Sequence, residues 1–413
     1  MTLNKTAPNS NIKFIQLKLN EFSDFDYVLE KRTHSSISSN NGVQDVIIKD
    51  DDYYEYDSPV CPECGSNKII KQGNRSRIVN FPNSYKHEIF LKKYQCTNCG
   101  KYFQTELNGL LDKFKNYTND FKDNVHEILK KGHQKCRNLT HIFDILWESA
   151  PSHQTMKNWI KRGENKRIKN NIGIFSGYYA YDEEYLSLSG KKAYRLTLFD
   201  SIFNYPVTEQ ISYNLKSETI KEFLEYSLEN IPVECISTDL MPKYKNIMDE
   251  IDVNHQLCIF HFMQAVTKIR EKELKKYLDD EVEQERIRKE CSDLQDIFRA
   301  KNLNECINWY ILFLDHLTPD REYIYTFVEK NVKKNFLNLI QHYFDPLQER
   351  TNNKIETYFK QTDPDDIKKK YKTASGLLDF LYIKMEYMTE KSVKELDENY
   401  LTNFWHYRKN KYI

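Results

Sequence analysis

Between residues 174 and 262 the chain runs through three β-rich stretches, a helix, a strand, a second helix and a last strand. That order limits the folds open to it. YYAYDEEYLSL (178–188), AYRLTLFDS (193–201) and YPVTEQISYN (205–214) are separated by SGKK and IFN, both turn-like. SETIKEFLEYSLEN follows, with Ser217 as the expected N-cap and Glu218 and Glu222 early in the helix. VECISTD then reads as a buried strand, PKYKNIMDEI as a helix opened by Pro242 at N1, and VNHQLCIFH as a further strand. This alternation predicts the α/β class, a mixed sheet covered by helices.

The chain has 413 residues, enough for two or three domains and a sizeable core. It contains no run of eighteen apolar residues, so no membrane span is expected. The start, MTLNKTAPNSN, has no basic segment followed by an apolar one, so no secretory signal is expected and the predicted location is the cytoplasm. The nine cysteines then favour metal binding over disulfides. The formal net charge is zero, but the charges are segregated. Residues 61–176 hold 21 Lys and Arg against 10 Asp and Glu, whereas residues 177–413 hold 34 against 41. A basic module joined to an acidic body suits polyanion binding, although a solvated lysine-rich surface would give the same count.

CPECGS (61–66) and YQCTNCGKYF (94–103) give C-x2-C, thirty-one intervening residues, and C-x2-C. Four thiolates so spaced suit a tetrahedral, structural Zn²⁺ with Cys61, Cys64, Cys96 and Cys99 as ligands. Gly65 and Gly100 fit the tight knuckle after each pair, and Tyr94, Tyr102 and Phe103 would pack the small β-layers. The long intervening loop predicts an extra hairpin.

From about 118 to 164 the apolar spacing is helical, in three short pieces. RNLTHIFDILWESAPSHQTMKNWIKRG has the size of a helix-turn-helix, with Ser152 capping its second helix. There Met156, Trp159 and Ile160 would face the core. Gln154, Lys157, Asn158, Lys161 and Arg162 would face outward, with Thr155 near the start, a set able to reach phosphates and base edges of double-stranded DNA. An ordinary surface helix would show the same polarity.

Metal-assisted phosphodiester chemistry needs carboxylates at the ends of adjacent strands. Asp182 lies in the first strand and Asp239 ends the fourth; they converge if those strands are neighbours around a right-handed crossover. A third carboxylate has Glu356 as its best candidate, on a helix starting near Thr351-Asn352-Asn353, with Glu183, Glu184 and Glu349 as competitors.

The ribbon CPECGS…YQCTNCGKYF carries a family resemblance, together with SHQTMKNWIKR, YAYDEEYLSL, CISTDLMPKY, CIFH and ERTNNKIETYFKQ. Over roughly residues 58–390 the chain resembles the DDE transposases of prokaryotic insertion sequences, close to the Mutator-like group with an RNase H-like catalytic core. The resemblance implies Asp182, Asp239 and Glu356 as the acidic triad holding Mg²⁺ or Mn²⁺. It also implies cleavage at transposon terminal inverted repeats, joining of the freed 3′-OH to target DNA, and a homo-oligomer of at least two copies. Related transposases carry C-x-x-H or D-x-x-H between the second aspartate and the glutamate. That makes His261 an accessory active-site or DNA-contacting residue supported by Cys258, although a purely structural pair is also open. A DNA-binding regulator derived from an inactive transposase, and a structure-selective nuclease with the same core, are the rival readings.

The expected layout is a flexible tail (1–57), zinc ribbon (58–105) and helix-turn-helix (106–170). An RNase H-like core in two parts (174–261 and 346–395) then flanks a helical insertion (262–345), and a tail (396–413) ends the chain. Lys368–Lys370 and Lys372, after the glutamate helix, could meet backbone phosphates or simply be solvated.

Overall fold

A computed structural model describes residues 37–39, 42–49, 52–82, 86–132, 134–147, 150–160, 166–362, 371–396 and 398–410. The chain divides into two compact units, Met1–Lys161 and Arg162–Ile413. Among the described residues no helix is long and apolar enough to cross a membrane.

In the first unit, β1 (Ile37–Ser39) and β2 (Gly42–Gln44) form a small antiparallel pair. The larger sheet has the order β3-β4-β6-β5, from β3 (Val46–Lys49), β4 (Tyr53–Tyr56), β5 (Ile69–Asn80) and β6 (Lys86–Cys96). β7 (Tyr102–Gln104) pairs with β6 off that path. The long loop between the cysteine pairs is thus the β5–β6 hairpin.

The expected tail 1–57 is corrected at its end, where β3 and β4 enter this sheet. Val46, Tyr54 and Tyr56 are buried in its core with Ile89, Leu91 and Tyr94. The acidic look of KDDDYYEY hid the strand because Glu55 is neutralised in place by Lys49 and Lys71. NIKFIQLKL (11–19), whose residues predict one short strand in this tail, lies outside the described residues.

Three helices follow in this unit: α1 (Asn119–Gly132), α2 (Cys136–Trp147) and α3 (His153–Ile160). Their apolar faces meet around Phe121, which packs edge-on against Phe143, Trp159 and Tyr117. Burying each such aromatic contributes about 1.5–3 kcal/mol. Ser152 Oγ accepts from Thr155 N at 3.1 Å and so caps α3.

The second unit is built on a six-stranded sheet of order β13-β12-β9-β10-β11-β8. Its strands are β8 (Arg167–Lys169), β9 (Tyr178–Leu188), β10 (Lys191–Asp200), β11 (Tyr205–Ser212), β12 (Cys235–Thr238) and β13 (Asn254–Leu257). β8 to β11 pair antiparallel, while β12 runs parallel to both β9 and β13. The first and fourth strands of the expected core are therefore neighbours. β8 lies within the stretch read as helix-turn-helix; three residues are too few to show an alternating pattern.

α4 (Ser217–Leu228) and α5 (Pro242–Glu250) cover one sheet face, packing Phe223, Leu224, Tyr244 and Met248 on Tyr179, Tyr181 and Leu196. Lys216, not Ser217, is the N-cap of α4, without a side-chain bond. α6 (Ile259–Leu274), α7 (Glu281–Ile297), α8 (Leu303–His316), α9 (Glu322–Phe327) and α10 (Lys333–Leu339) build a second core around Phe262, Leu294, Phe298 and Val328. α11 (Asn353–Thr362) and α12 (Ala374–Glu395) return to the sheet.

The tail expected at 396–413 is instead α13 (Glu398–Asn410). It buries Phe404 against Phe203 and ion-pairs Arg408 with Glu234.

Candidate functional site

Strand alternation decides which face each residue of YAYDEEYL serves. Tyr179, Tyr181 and Glu183 point toward α4 and α5, where Glu183 accepts hydrogen bonds from Tyr181 (2.8 Å) and Tyr244. Ala180, Asp182 and Glu184 point to the opposite face. There Ala180 and Phe199 pack on Ile355, Tyr358 and Phe359 of α11. Asp182 thus lies on the face covered by the helix that carries Glu356.

Asp239 reaches the same place by register. Ser237 of β12 pairs with Ala180 of β9, so Asp239, just past the strand, stands level with Asp182. Its Oδ1 accepts from Met241 N at 2.9 Å, fixing the turn into α5. Cys258 N donates to Thr238 O at 2.8 Å, which hangs the start of α6 on the end of β12. The start of α11 joins it, because Ile259 N donates to Arg350 O (2.9 Å) and Asn352 N to Cys258 Sγ (3.3 Å). One turn into each helix, His261 Nε2 lies 3.5 Å from Glu356 Oε1.

Asp182, Asp239, Glu356 and His261 therefore meet beside the C-terminal end of β12, where it pairs with β9 inside the sheet. Cys258 is the link between the two helix starts, and burial pushes its thiol up. Burial also pushes the Asp182 carboxyl up to about 8, reinforced by the charges of Glu183, Asp239 and Glu356. Burial raises Asp239 as well, while the nearby His261 and Lys243 pull the other way.

The competing carboxylates are otherwise engaged. Glu183 faces away with two phenols; Glu184 lies 3.2 Å from the Arg195 guanidinium; Glu349 pairs with Lys354. Glu356 Oε1, by contrast, is buried without a hydrogen-bond partner, as are His261 Nδ1 and both amide atoms of Asn352. Carboxylates that repel one another beside unpartnered buried oxygens are a donor set suited to a hard divalent cation. Asp182, Asp239 and Glu356 are the residues that could hold one. They sit wider apart than a closed cage. Among the described residues, the four cysteines are the one group of three or more ligating side chains whose atoms all lie within 4.8 Å.

That cysteine cluster is in the first unit. Cys61 Sγ and Cys99 Sγ are 3.6 Å apart, and Cys64 Sγ and Cys96 Sγ 3.7 Å. A tetrahedron with metal–sulfur bonds of ~2.3 Å has edges of about 3.8 Å, so the cluster could hold zinc. The two knuckles match: Gly65 N donates to Cys61 O and Gly100 N to Cys96 O. Both glycines adopt positive φ (68° and 75°), which other residues reach only with strain.

Of the candidate DNA-contacting residues, Gln154, Lys157 and Asn158 are exposed on α3 and Thr155 is half-buried. Gln154 Nε2 donates to Asn158 Oδ1 at 3.1 Å. Lys161, Arg162 and Lys368–Lys370 lie outside the described residues; Lys372 is exposed.

Sequence reasoning missed the buried pair Arg195 and Glu209, and it missed Asn352. A lone charged residue inside each of two apolar strands, AYRLTLF and YPVTEQIS, was the available signal for the pair. The Asn-Asn step before a helix was the signal for Asn352.

No protein-family model matches the chain. Two solved structures share limited likeness with it. The Drosophila P element transposase strand transfer complex is 13% identical, covering 68% of this chain and 93% of that one, at a TM-score of 0.38. The simian T-cell lymphotropic virus intasome in complex with PP2A regulatory subunit B56 gamma is 12% identical, covering 38% and 62%, at 0.19. Likeness this loose does not identify the fold. Sequence gives a firmer relation, to the "Insertion element ISM1 uncharacterized 48.3 kDa protein" of Methanobrevibacter smithii. The two are 37% identical over 395 residues, spanning 95% of this chain and 98% of that protein, so the chain belongs to the same family as this insertion-element protein.

Proposed function

We propose that the chain is a DDE-type transposase of the Mutator-like group that cuts the terminal inverted repeats of its element and joins the 3′-OH ends to target DNA. The observation that carries this is the meeting of Asp182, Asp239 and Glu356, with His261, where β9, β12, α6 and α11 come together. Antiparallel β9, β10 and β11 continued by the parallel β12 and β13 are the order expected of an RNase H-like core, to which β8 adds a sixth strand beside β11. A relative named for an insertion element agrees with that reading.

Asp182, Asp239 and Glu356 would hold Mg²⁺ or Mn²⁺; when bound, such ions activate the attacking oxygen and neutralise charge on the leaving one. The chain's own residues supply the rest. β9 and β12 keep two carboxylates level, and α11 brings the third to them. His261 sits against Glu356 and would meet a bound phosphate as a donor or a proton acceptor. Burial of Asp182 strengthens the charge interactions that this carboxyl makes with its neighbours. The cysteine cluster would hold a structural zinc, and the exposed face of α3 would bind double-stranded DNA as the second helix of a helix-turn-helix. Two transposon ends would be joined by at least a dimer.

The test is strand nicking of a duplex carrying the element's terminal inverted repeats. The parent protein should nick it with Mg²⁺, and Asp239→Asn should lose at least about a thousandfold in rate. An Asp239→Asn protein that nicks as fast as the parent refutes the site. A parent that binds such ends but never nicks them favours the regulator reading.

A further inference from the structure

Arg195 is fully buried in the middle of β10. Burial pulls its guanidinium down, yet neighbouring anionic groups, Glu209 first, hold it above its ordinary range. Its partners lie on three different elements. Nε and Nη2 donate to Glu209 of β11 at 2.8 and 3.0 Å. Nη1 donates to Glu184 of β9 at 3.2 Å and to Thr362 of α11 at 2.9 Å. The Tyr358 hydroxyl of α11 donates to Glu209, and the rings of Tyr358 and Phe359 stack over the guanidinium at 4.9 and 5.0 Å.

Two of these elements carry the carboxylates. Glu184 lies two residues beyond Asp182, on the same face of β9. Tyr358 and Thr362 lie two and six residues beyond Glu356 on α11. A single planar, five-donor side chain therefore ties the strand of Asp182 to the helix of Glu356.

We infer that Arg195 is a positioning residue of the carboxylate site: through Glu184 on one side, and through Glu209, Tyr358 and Thr362 on the other, it sets the separation of Asp182 and Glu356. The inference rests on the reading that these carboxylates bind a divalent cation. Two features speak for positioning over mere stability. A hydrophobic residue would fill a buried strand position at least as well as an ion pair. The fork is also spent on the elements bearing the ligands, as supporting residues around metal ligands are. Lysine keeps the charge but, as a point donor, cannot hold Glu184, Glu209 and Thr362 together.

The test is Mn²⁺ binding to the full-length, zinc-containing protein by titration calorimetry, beside the metal concentration that half-saturates end nicking. Arg195→Lys and Tyr358→Phe should each weaken Mn²⁺ binding about tenfold. The half-saturating metal should rise in step, and metal-free affinity for the end duplex should stay unchanged. If both variants melt earlier but bind Mn²⁺ like the parent, Arg195 is only structural and the inference fails. Should Arg195→Lys not fold, Tyr358→Phe, which loses one hydroxyl, decides alone. A parent that binds no Mn²⁺ overturns the inference together with the cation site. A parent that binds Mn²⁺ but never nicks DNA overturns the transposase reading, while the tenfold loss in the variants still upholds Arg195.

Discussion

Removing Glu209 alone should destabilise the second unit far more than removing its whole buried network. The Arg195 and Glu209 side chains are both 0% exposed and meet through two parallel hydrogen bonds. In Glu209→Leu the guanidinium stays in the interior with Glu184 as its remaining anion, and Tyr358 loses its acceptor. Breaking a buried pair from one side costs about 3–5 kcal/mol, and the surviving Glu184 contact puts this case near 3. That is a large part of the 5–15 kcal/mol a domain typically has. Converting Arg195→Met, Glu209→Leu and Tyr358→Phe together removes both fully buried charges and the hydroxyl between them, and leaves Glu184, 10% exposed, as the remaining carboxylate. The stability of this triple variant should return to within ~1–2 kcal/mol of the parent. Hydrogen exchange resolved to peptides of β10, β11 and α11 reads the opening free energy of this unit without averaging over the other. A Glu209→Leu cost below about 1 kcal/mol would refute the reasoning. So would a triple variant as weak as the single one.

Two further outcomes follow from the orphaned and ligating groups. Purified protein should carry about one zinc, and its removal by a strong chelator should abolish the thermal transition of the β5–β6 sheet, since structural zinc contributes folding energy directly. Metal analysis and circular dichroism check this, and an unchanged melt after complete chelation would sink it. Asn352→Ala should be no less stable than the parent without metal, because both amide atoms are buried and unpartnered, a burden of about 1–3 kcal/mol. The same variant should gain less from added Mn²⁺ in a melting assay. A metal-free loss above about 2 kcal/mol would show that Asn352 already has a structural partner.

The sheet was readable from sequence where strands were long and bounded by turns, as at 178–188 and 205–212. It was unreadable where strands were short or their residues polar. Arg167–Lys169 offers three residues, and Tyr53–Tyr56 is masked by three preceding aspartates whose neighbour Glu55 finds its lysines only in the fold. α13 escaped for a related reason. What buries Phe404 is the remote surface of Tyr178, Phe203 and Cys235, and no local period announces that.

The carboxylate cluster was easier to foresee than its supports, and the difference has a physical cause. Asp182 and Asp239 sit at positions that strand order alone makes adjacent, so topology was enough to bring them together. Arg195 carries no such mark: its role depends on register, opposite Glu184 across the β9–β10 pair and one strand from Glu209. Cys258 lies between the two cases. Its C-x-x-H spacing to His261 marks the two as a pair, and in the fold the thiol accepts the Asn352 N–H and so joins the starts of α6 and α11. His261 and Glu356 then fall one turn inside two helices that begin at the same point, which is why they lie 3.5 Å apart although 95 residues separate them in the chain. The cysteine acts on the carboxylates through the backbone it anchors, and a serine there, with its shorter bond to a smaller atom, would draw the two helix starts together and shift Glu356 against Asp182.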